Sequence, residues 1–295
     1  MTQSLQQGLS HSGLSATRAG LRRLWRRYPL SLIGGFVLIS LTVLSVLAPW
    51  LAPFDPFEMN VVDRLREPGE EYFFGTDAYG RDLFSRTLYG GRISLLIGLS
   101  VAGLSTLIGL LIGILAGYSR SADAVLMRIM DGLMAIPGIL LAIALMSLAR
   151  PGIGVVVVAI TIPEIPRVVR LVRAVVLSVR EQVYIQAAIA TGTRLPRLML
   201  KHILPNTLAP LIVQATYIAA SAVLIESYLS FLGVGTPPEV PSWGNIIAEG
   251  RLYVQIAPWN IVCPSVFLAL MVLSINMLGD GLRDMLDPRL QTRVR

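Results

Sequence analysis

Apolar residues gather in six long runs, separated by polar stretches that hold most of the charge. The runs lie roughly at Leu30–Leu51, Ile93–Tyr118, Val125–Leu148, Ile153–Val175, Thr207–Leu232 and Ile256–Leu278. At 1.5 Å per residue, each supplies about the twenty residues that a hydrocarbon layer of ~30 Å requires. The pattern predicts an all-α polytopic membrane protein with about six transmembrane helices. The fourth run is the least regular, because Pro163, Glu164 and Pro166 interrupt it. The first follows a basic stretch, as the core of a signal peptide would. Its apolar core is too long for one, and Pro49 and Pro53 leave no small-residue cleavage site, so it reads as a retained anchor. The chain thus divides into a basic tail (1–28), an N-terminal helix with an outer loop (29–90), five further helices (91–280) and a polar tail (281–295).

Composition supports the membrane class: 54% of the 295 residues are hydrophobic and 15% charged. The single cysteine, Cys263, sits in the last apolar run, so no disulfide framework or cysteine-based metal site is expected. His11 and His202 are the only histidines, too few for a metal cluster, and no catalytic constellation stands out. The net charge of +7 comes almost wholly from arginine, with Lys201 the one lysine. In a soluble chain that balance would suggest nucleic acid. Here the arginines fall between apolar runs and report topology instead.

With the N-terminus cytoplasmic, the inner segments carry seventeen basic residues against seven in the outer ones. The asymmetry predicts both termini inside and the acid-rich segment from Asp55 to Arg92 outside, as a solvated loop. In the second run, "GLLIGILAGY" spaces Gly109, Gly113 and Gly117 by four residues. Small residues on one face let helix backbones approach closely in lipid, which indicates a packed bundle.

One polar, helix-compatible stretch stays out of this pattern: "QAAIATGTRLPRLMLKHILPN", Gln186 to Asn206. A helix is predicted up to Thr191, with Gly192 placed for a left-handed C-terminal cap. A second is predicted from Arg194 to His202, with Pro196 in its first turn. Leu195, Leu198, Met199 and His202 would form its apolar face, and Leu204 and Pro205 would end it before the fifth run. Two short helices joined at a glycine make a knob able to enter a groove on another protein. The other reading is an amphipathic loop on anionic lipid, served by Arg173, Arg180, Arg194 and Arg197.

This stretch resembles the EAA loop of permease subunits in binding-protein-dependent ABC importers. That family's pattern reads E-A-A, three residues, G, nine residues, I, one residue, L-P. Here Ala187, Ala188, Gly192, Leu204 and Pro205 match, while Gln186 replaces the Glu and His202 the first Ile. The ending "HILPN" and three further stretches, Phe74–Leu99, Glu226–Arg251 and Leu278–Arg289, resemble the dipeptide, oligopeptide and nickel branch, in the type that pairs as the second permease. The resemblance runs from the first outer loop to the C-terminus.

It implies a type I ABC importer transmembrane fold in a bacterial cytoplasmic (inner) membrane, surrounded by lipid. It also implies a homologous second permease, two P-loop ATPase subunits and an extracytoplasmic substrate-binding protein. Segment 181–206 would be the coupling loop, with Gln186, Ala187, Ala188, Gly192, Leu204 and Pro205 meeting the ATPase. The chain has no G-x-x-x-x-G-K-[ST] sequence, so ATP and magnesium would be bound by the partners and not here. Cargo stays open among dipeptides, oligopeptides, glutathione-like peptides, nickel complexes and opines.

Two acids in apolar runs, Glu164 and Glu226, are candidate pathway charges. Glu164 could equally pair with Arg167, and Glu226 could serve packing. Pro137, Pro163 and Pro166 read as helix bends, and Trp243 and Trp259 as interfacial anchors. The rival class is a self-contained secondary transporter or channel. It would favour inverted repeats and several buried charges, and no convincing repeat is found.

Overall fold

The computed structural model describes residues 28–286. The basic residues of tail 1–27, and those of 287–295, lie outside the described residues. Among the described residues the chain is helical, without strands. In chain order the elements are α1 (Pro29–Val46), α2 (Ala48–Leu51), α3 (Leu83–Tyr118), α4 (Arg120–Met134), α5 (Gly138–Ser147), α6 (Ile153–Arg180), α7 (Val183–Ala190), α8 (Leu195–Leu198), α9 (Leu204–Phe231), α10 (Trp243–Gly250) and α11 (Trp259–Leu286).

The centre of the bundle is the pair α3 and α6. A Cβ added to Gly109, Gly113 or Gly117 would lie only 2.5, 2.7 and 2.6 Å from Cβ of Val168, Val172 and Val176. Carbon atoms in contact rest about 3.5–4.0 Å apart, so any larger residue would push the two backbones apart. Both helices ascend together along this seam and therefore run parallel. Arg180 fixes their shared end, donating to the carbonyls of Gly117 and Tyr118 at 2.8 and 2.9 Å. The 28 residues of α6 extend about 40 Å, so the chain between Tyr118 and Ile153 must travel that distance back.

Neighbouring helices alternate around this pair. α9 is antiparallel to α3, with Gly98 against Ala219 and Val223. α11 is antiparallel to α1, with Gly281 against Ser31 and Gly34 against Met277. Tyr217 on α9 also donates to Asp280 on α11. The start of α1, the end of α11 and segment 181–206 consequently share one end of the bundle. Loop 52–82 and α10 occupy the other.

Several helices differ from the sequence expectation. Among the described residues, four helices are long and apolar enough to cross a membrane: Pro29–Val46, Leu83–Tyr118, Leu195–Phe231 and Trp259–Leu286. A fifth span exists only if α4 and α5 count as one, and they bend by 86°. The expected span Val125–Leu148 is therefore two helices, bent where the sequence places a bend, at Pro137. Pro137 offers no N–H to continue the ladder and forces Ile136 out of helical geometry. Helix α6 is long enough but carries Glu164, Arg167 and Arg170. Its apolar side lies inside the bundle, while Arg167 and Arg170 are exposed on the other side. Pro163 and Pro166 sit within α6 without ending it.

The expected start at Ile93 moves back to Leu83, inside the segment assigned to the outer loop. Asp82 explains this: its carboxylate accepts from the Ser85 N–H at 2.8 Å and caps the helix. The 36-residue α3 is about 54 Å long and so extends beyond any hydrocarbon layer.

The seam gives a direct test. Gly113→Leu should destabilise the chain by about 1–3 kcal/mol through overpacking against Val172 and Val169. Gly132→Ala, where an added Cβ meets nothing within 4 Å, should leave stability equal or raised. Thermal unfolding of the detergent-purified protein measures both, and equal melting of the Gly113→Leu variant and the parent would refute the seam.

Candidate functional site

Segment 181–206 projects from the bundle end and is fastened to it at three points. Ile185, Leu198 and Ile203 are fully buried and belong to the apolar core. Gln186, Ala187, Ala190 and Gly192 are exposed, and Ala188 is half-buried. Val183, Ile189, Leu195 and Leu200 are exposed large apolar side chains on the same projection.

Helix α7 ends as the sequence predicts. Gly192 takes φ +80°, and its N–H donates to the Ile189 carbonyl at 2.9 Å. Thr193 N–H reaches the Ala188 carbonyl at 3.0 Å, which completes a Schellman cap. Only glycine adopts this backbone without a steric cost, and the turn redirects the chain towards Leu195.

The second helix departs from expectation. It does not stop at Leu204 and Pro205; α8 continues through a π turn, Met199–Ile203, directly into α9. Leu204 N–H bonds the Met199 carbonyl, five residues back. The cause is visible in the buried positions. Leu198, Ile203, Thr207 and Leu211 are buried at spacings of five, four and four. One inserted residue keeps a single stripe facing the core through a proline that lacks its N–H. The expected apolar face changes accordingly: Leu198 is buried, while Leu195 is exposed.

Tyr184 and Asn206 were not singled out from the sequence, yet they join the two arms. Asn206 Nδ2 donates to the His202 carbonyl at 2.6 Å and to the Tyr184 hydroxyl at 3.3 Å. The Gln186 amide donates to the Glu181 carbonyl at 3.4 Å and lines a cavity of about 280 Å³ with Arg120, Asp123 and Arg180.

The two candidate acids are not brought together. Glu164 is buried on α6, with Arg167 Nη1 3.3 Å away. It lines a cavity of about 340 Å³ beside the α4–α5 bend, with Pro137, Ala142 and Ile225. Glu226 is fully buried near the opposite end of α9. Its Oε1 accepts from Ser230 and Ser242 at 2.8 Å each, and from Thr236 at 3.4 Å. These bonds hold the return of the chain between α9 and α10, while Oε2 is buried without a hydrogen-bond partner among the described residues.

The far end also holds an ion network absent from the sequence reading. Arg81 Nε lies 2.6 Å from Asp77, and its Nη2 2.5 Å from Glu249. Arg86 is buried beside both, 3.2 Å from Glu249 and 3.5 Å from Asp77. Burial raises the Glu249 carboxyl above its usual range, and the Arg86 and Arg81 charges oppose the rise. The outer loop is thus solvated only in part, since Thr76, Asp77, Arg81 and Asp82 are buried. The i, i+4 pairing of Asp77 and Arg81 was the available signal. Trp243, expected as an interfacial anchor, is fully buried and donates Nε1–H to the Thr87 carbonyl at 2.9 Å. Trp259 is half-buried, with Nε1 3.4 Å from the Thr76 carbonyl.

A helical membrane bundle with a rigid projection at one end is the architecture of a multi-pass transport subunit. Residues 109–292 match the binding-protein-dependent transport system inner membrane component family, and the chain belongs to that family. It is a permease subunit of an ABC transport system. Residues 18–68 match the N-terminal TM domain of oligopeptide transport permease C. A probable peptide ABC transporter permease of Sinorhizobium fredii is 55% identical over 271 residues, covering 92% of this chain and 93% of its own. A dipeptide transport system permease of Alkalihalophilus pseudofirmus is 39% identical over 283 residues, covering 96% and 93%. Among solved structures, an inward-facing MetNI methionine ABC transporter chain aligns at TM-score 0.55 and 20% identity, over 70% of this chain and 96% of that one. An amino acid ABC transporter chain aligns at TM-score 0.54 and 14% identity, over 68% and 94%. At those identities the likeness concerns the fold alone.

The ion network yields the second expected outcome. Glu249→Gln leaves two buried guanidiniums facing one carboxylate and should cost about 3–5 kcal/mol of stability. Replacing Arg81 by Met and Glu249 by Leu together should recover much of that loss. Melting of the purified single and double variants decides it: a silent Glu249→Gln means the network contributes nothing.

Proposed function

We propose that this chain is one of two homologous permeases lining the pathway of an ATP-driven peptide importer. Cargo arrives from an extracytoplasmic binding protein, and two partner ATPases bind ATP and magnesium. The chain itself hydrolyses nothing, in keeping with its lack of a phosphate-binding glycine loop. The names of the relatives support peptides as the cargo class. The arginine distribution supports a cytoplasmic position for both termini and for segment 181–206.

The observation that carries the reading is the build of that segment. Exposed Val183, Ile189 and Leu195 form the part a partner would grip, while buried Ile185, Leu198 and Ile203 tie it to the bundle. From Leu195 to Phe231 the helix is unbroken, so displacement of the tip moves α9. ATPase closure would draw the paired loops together and bias the bundle between outward-open and inward-open states. Gln186, Ala187, Ala188 and Gly192 sit on the gripping arm, and Leu204 and Pro205 at its root in α9.

Gly192→Val places a β-branched residue in left-handed backbone and should misdirect α8. Subunit content of the complex should be unchanged, while uptake and cargo-stimulated ATP hydrolysis fall together, by roughly tenfold or more if the loop no longer seats. Replacing Arg194 and Arg197 by Gln should be milder. Normal uptake by Gly192→Val alongside failure of the arginine variant would make the segment a lipid-surface element and defeat the proposal. Orientation has its own check. In a Cys263-free background, an impermeant thiol reagent should label a cysteine at Glu70 from outside and miss one at Arg194.

A further inference from the structure

Charge is unevenly placed around the bundle. The largest cavity, about 620 Å³ between α1, α3, α9 and α11, has no charged residue in its walls. Two others lie in series along the groove between α6 and α9. One, of about 340 Å³, is walled by Ile160, Glu164 and Arg167 of α6 and by Ser221 and Ile225 of α9. The next, of about 480 Å³, is walled by Leu171 of α6, Gln214 and Tyr217 of α9 and Arg283 of α11. On each helix these positions advance by three or four residues, so they form one continuous face. The helices are antiparallel, and the two rows run together from the α4–α5 bend towards the end that carries segment 181–206.

In a membrane, a row of polar side chains belongs against a cavity or a partner rather than against acyl chains. The first cavity has the size of a small-molecule site, mostly apolar with a few polar groups. Those groups are of both signs. The Glu164 side chain, 4% exposed, forms the wall, and that of Arg167, 59% exposed, stands at the rim. Arg167 Nη1 reaches the two Glu164 oxygens at 3.4 and 3.3 Å, against the ~2.7–2.9 Å of a tight charged hydrogen bond. Leaving a buried carboxylate without a counter-charge is costly. Whatever displaces Arg167 must therefore bring a cation of its own, and the released Arg167 then seeks an anion. The free termini of a short peptide meet both demands. An extended dipeptide spans at most about 7 Å, a length that a long arginine side chain one helical turn away can bracket.

Resting on the importer reading, we infer that this cavity is a station for the zwitterion of a short peptide. The N-terminal ammonium takes the place of Arg167 at Glu164, and the released guanidinium takes the C-terminal carboxylate. The peptide's side chains lie against Ile160, Ala142 and Ile225, which offer apolar contact and no hydrogen-bonding side chain. The station thus reads the termini and tolerates the residues that carry them. When the cargo leaves, Arg167 closes back on Glu164, so no buried charge is left alone.

The test uses the assembled complex in nanodiscs, without binding protein, with Cys263→Ser and Ser221→Cys in this subunit as the reporter. The readout is the rate at which a small thiol reagent modifies position 221, followed by mass spectrometry of this subunit. Ala-Ala at about ten times its half-protecting concentration should slow that rate roughly tenfold. N-acetyl-Ala-Ala, which lacks the ammonium, should not. Adding Glu164→Gln should abolish the protection, judged against that variant's own rate without peptide. Arg167→Gln, at a position too exposed to unfold the bundle, should make Ala-Ala and its C-terminal amide protect alike. Equal protection of the reporter by Ala-Ala and its N-acetyl form would overturn the inference. So would undiminished protection in Glu164→Gln, which would leave the pair a structural salt bridge. A reporter that no peptide protects overturns it as well, and uptake by the unaltered complex with its binding protein then separates the two readings. Uptake of Ala-Ala without protection removes the station and leaves the importer standing. No uptake of any peptide from a mixed digest removes both.

Discussion

Everything in this bundle is arranged around the contact of α3 with α6. Three glycines at four-residue spacing meet three valines at the same spacing, and no other residue fits at those glycines. In lipid, where apolar surface gains little by leaving its surroundings, such close backbone approach is what holds helices together. The seam also sets direction. Because the two helices are parallel, the intervening chain must return along the bundle, and it does so through the bent pair α4 and α5. The salt bridges of Arg170 with Asp131 and Arg173 with Asp123 tie α4 to α6. Glu164 follows from the same geometry. It occupies the row of α6 that holds Val156, Ile160, Val168, Val172 and Val176, so its burial is a consequence of the seam.

The two ends of the bundle are built differently. At the end that holds loop 52–82, buried charges and the hydroxyl ring around Glu226 lock the loops to α10 with many directional bonds. Such networks are costly to assemble and resist deformation once complete. The end that carries segment 181–206 relies on apolar pins and a glycine turn. Its tip exposes apolar side chains and few fixed polar contacts. One end of the bundle is therefore a bonded frame and the other a projecting arm held by apolar contacts.

Much of this was readable from the chain. The spacing of Gly109, Gly113 and Gly117 announced a close helix contact, and Gly192 announced its left-handed cap, because both depend on local backbone chemistry. Four of the six expected spans coincide with helices long and apolar enough to cross a membrane, because the lipid imposes hydropathy directly. What escaped was tertiary. Pro137 marked a bend, but its size, 86°, depends on how the two halves pack and is not written in hydropathy. Arginines counted as outer-loop charge, Arg81 and Arg86, are buried because Asp77 and Glu249 meet them from elsewhere in the chain. Trp243 looked like an interfacial residue because its distance from the span end was the only guide. Its burial depends on Gly90 and Gly91 making room on α3.

Leu204 and Pro205 show how a motif can be recognised before its physics is. Read linearly, a proline at that place ends a helix. In the structure the preceding π turn absorbs the missing N–H and adds one residue to the stripe, so the buried face stays in phase from Leu198 to Leu211. A regular α-helix here would bring the proline ring against the Lys201 carbonyl and rotate the apolar face about 100° from the core. The proline therefore marks the register change that makes one lever of two segments. Its presence binds the position of the exposed tip to the position of α9. A broken helix at the same point would leave the tip free to move without moving the bundle.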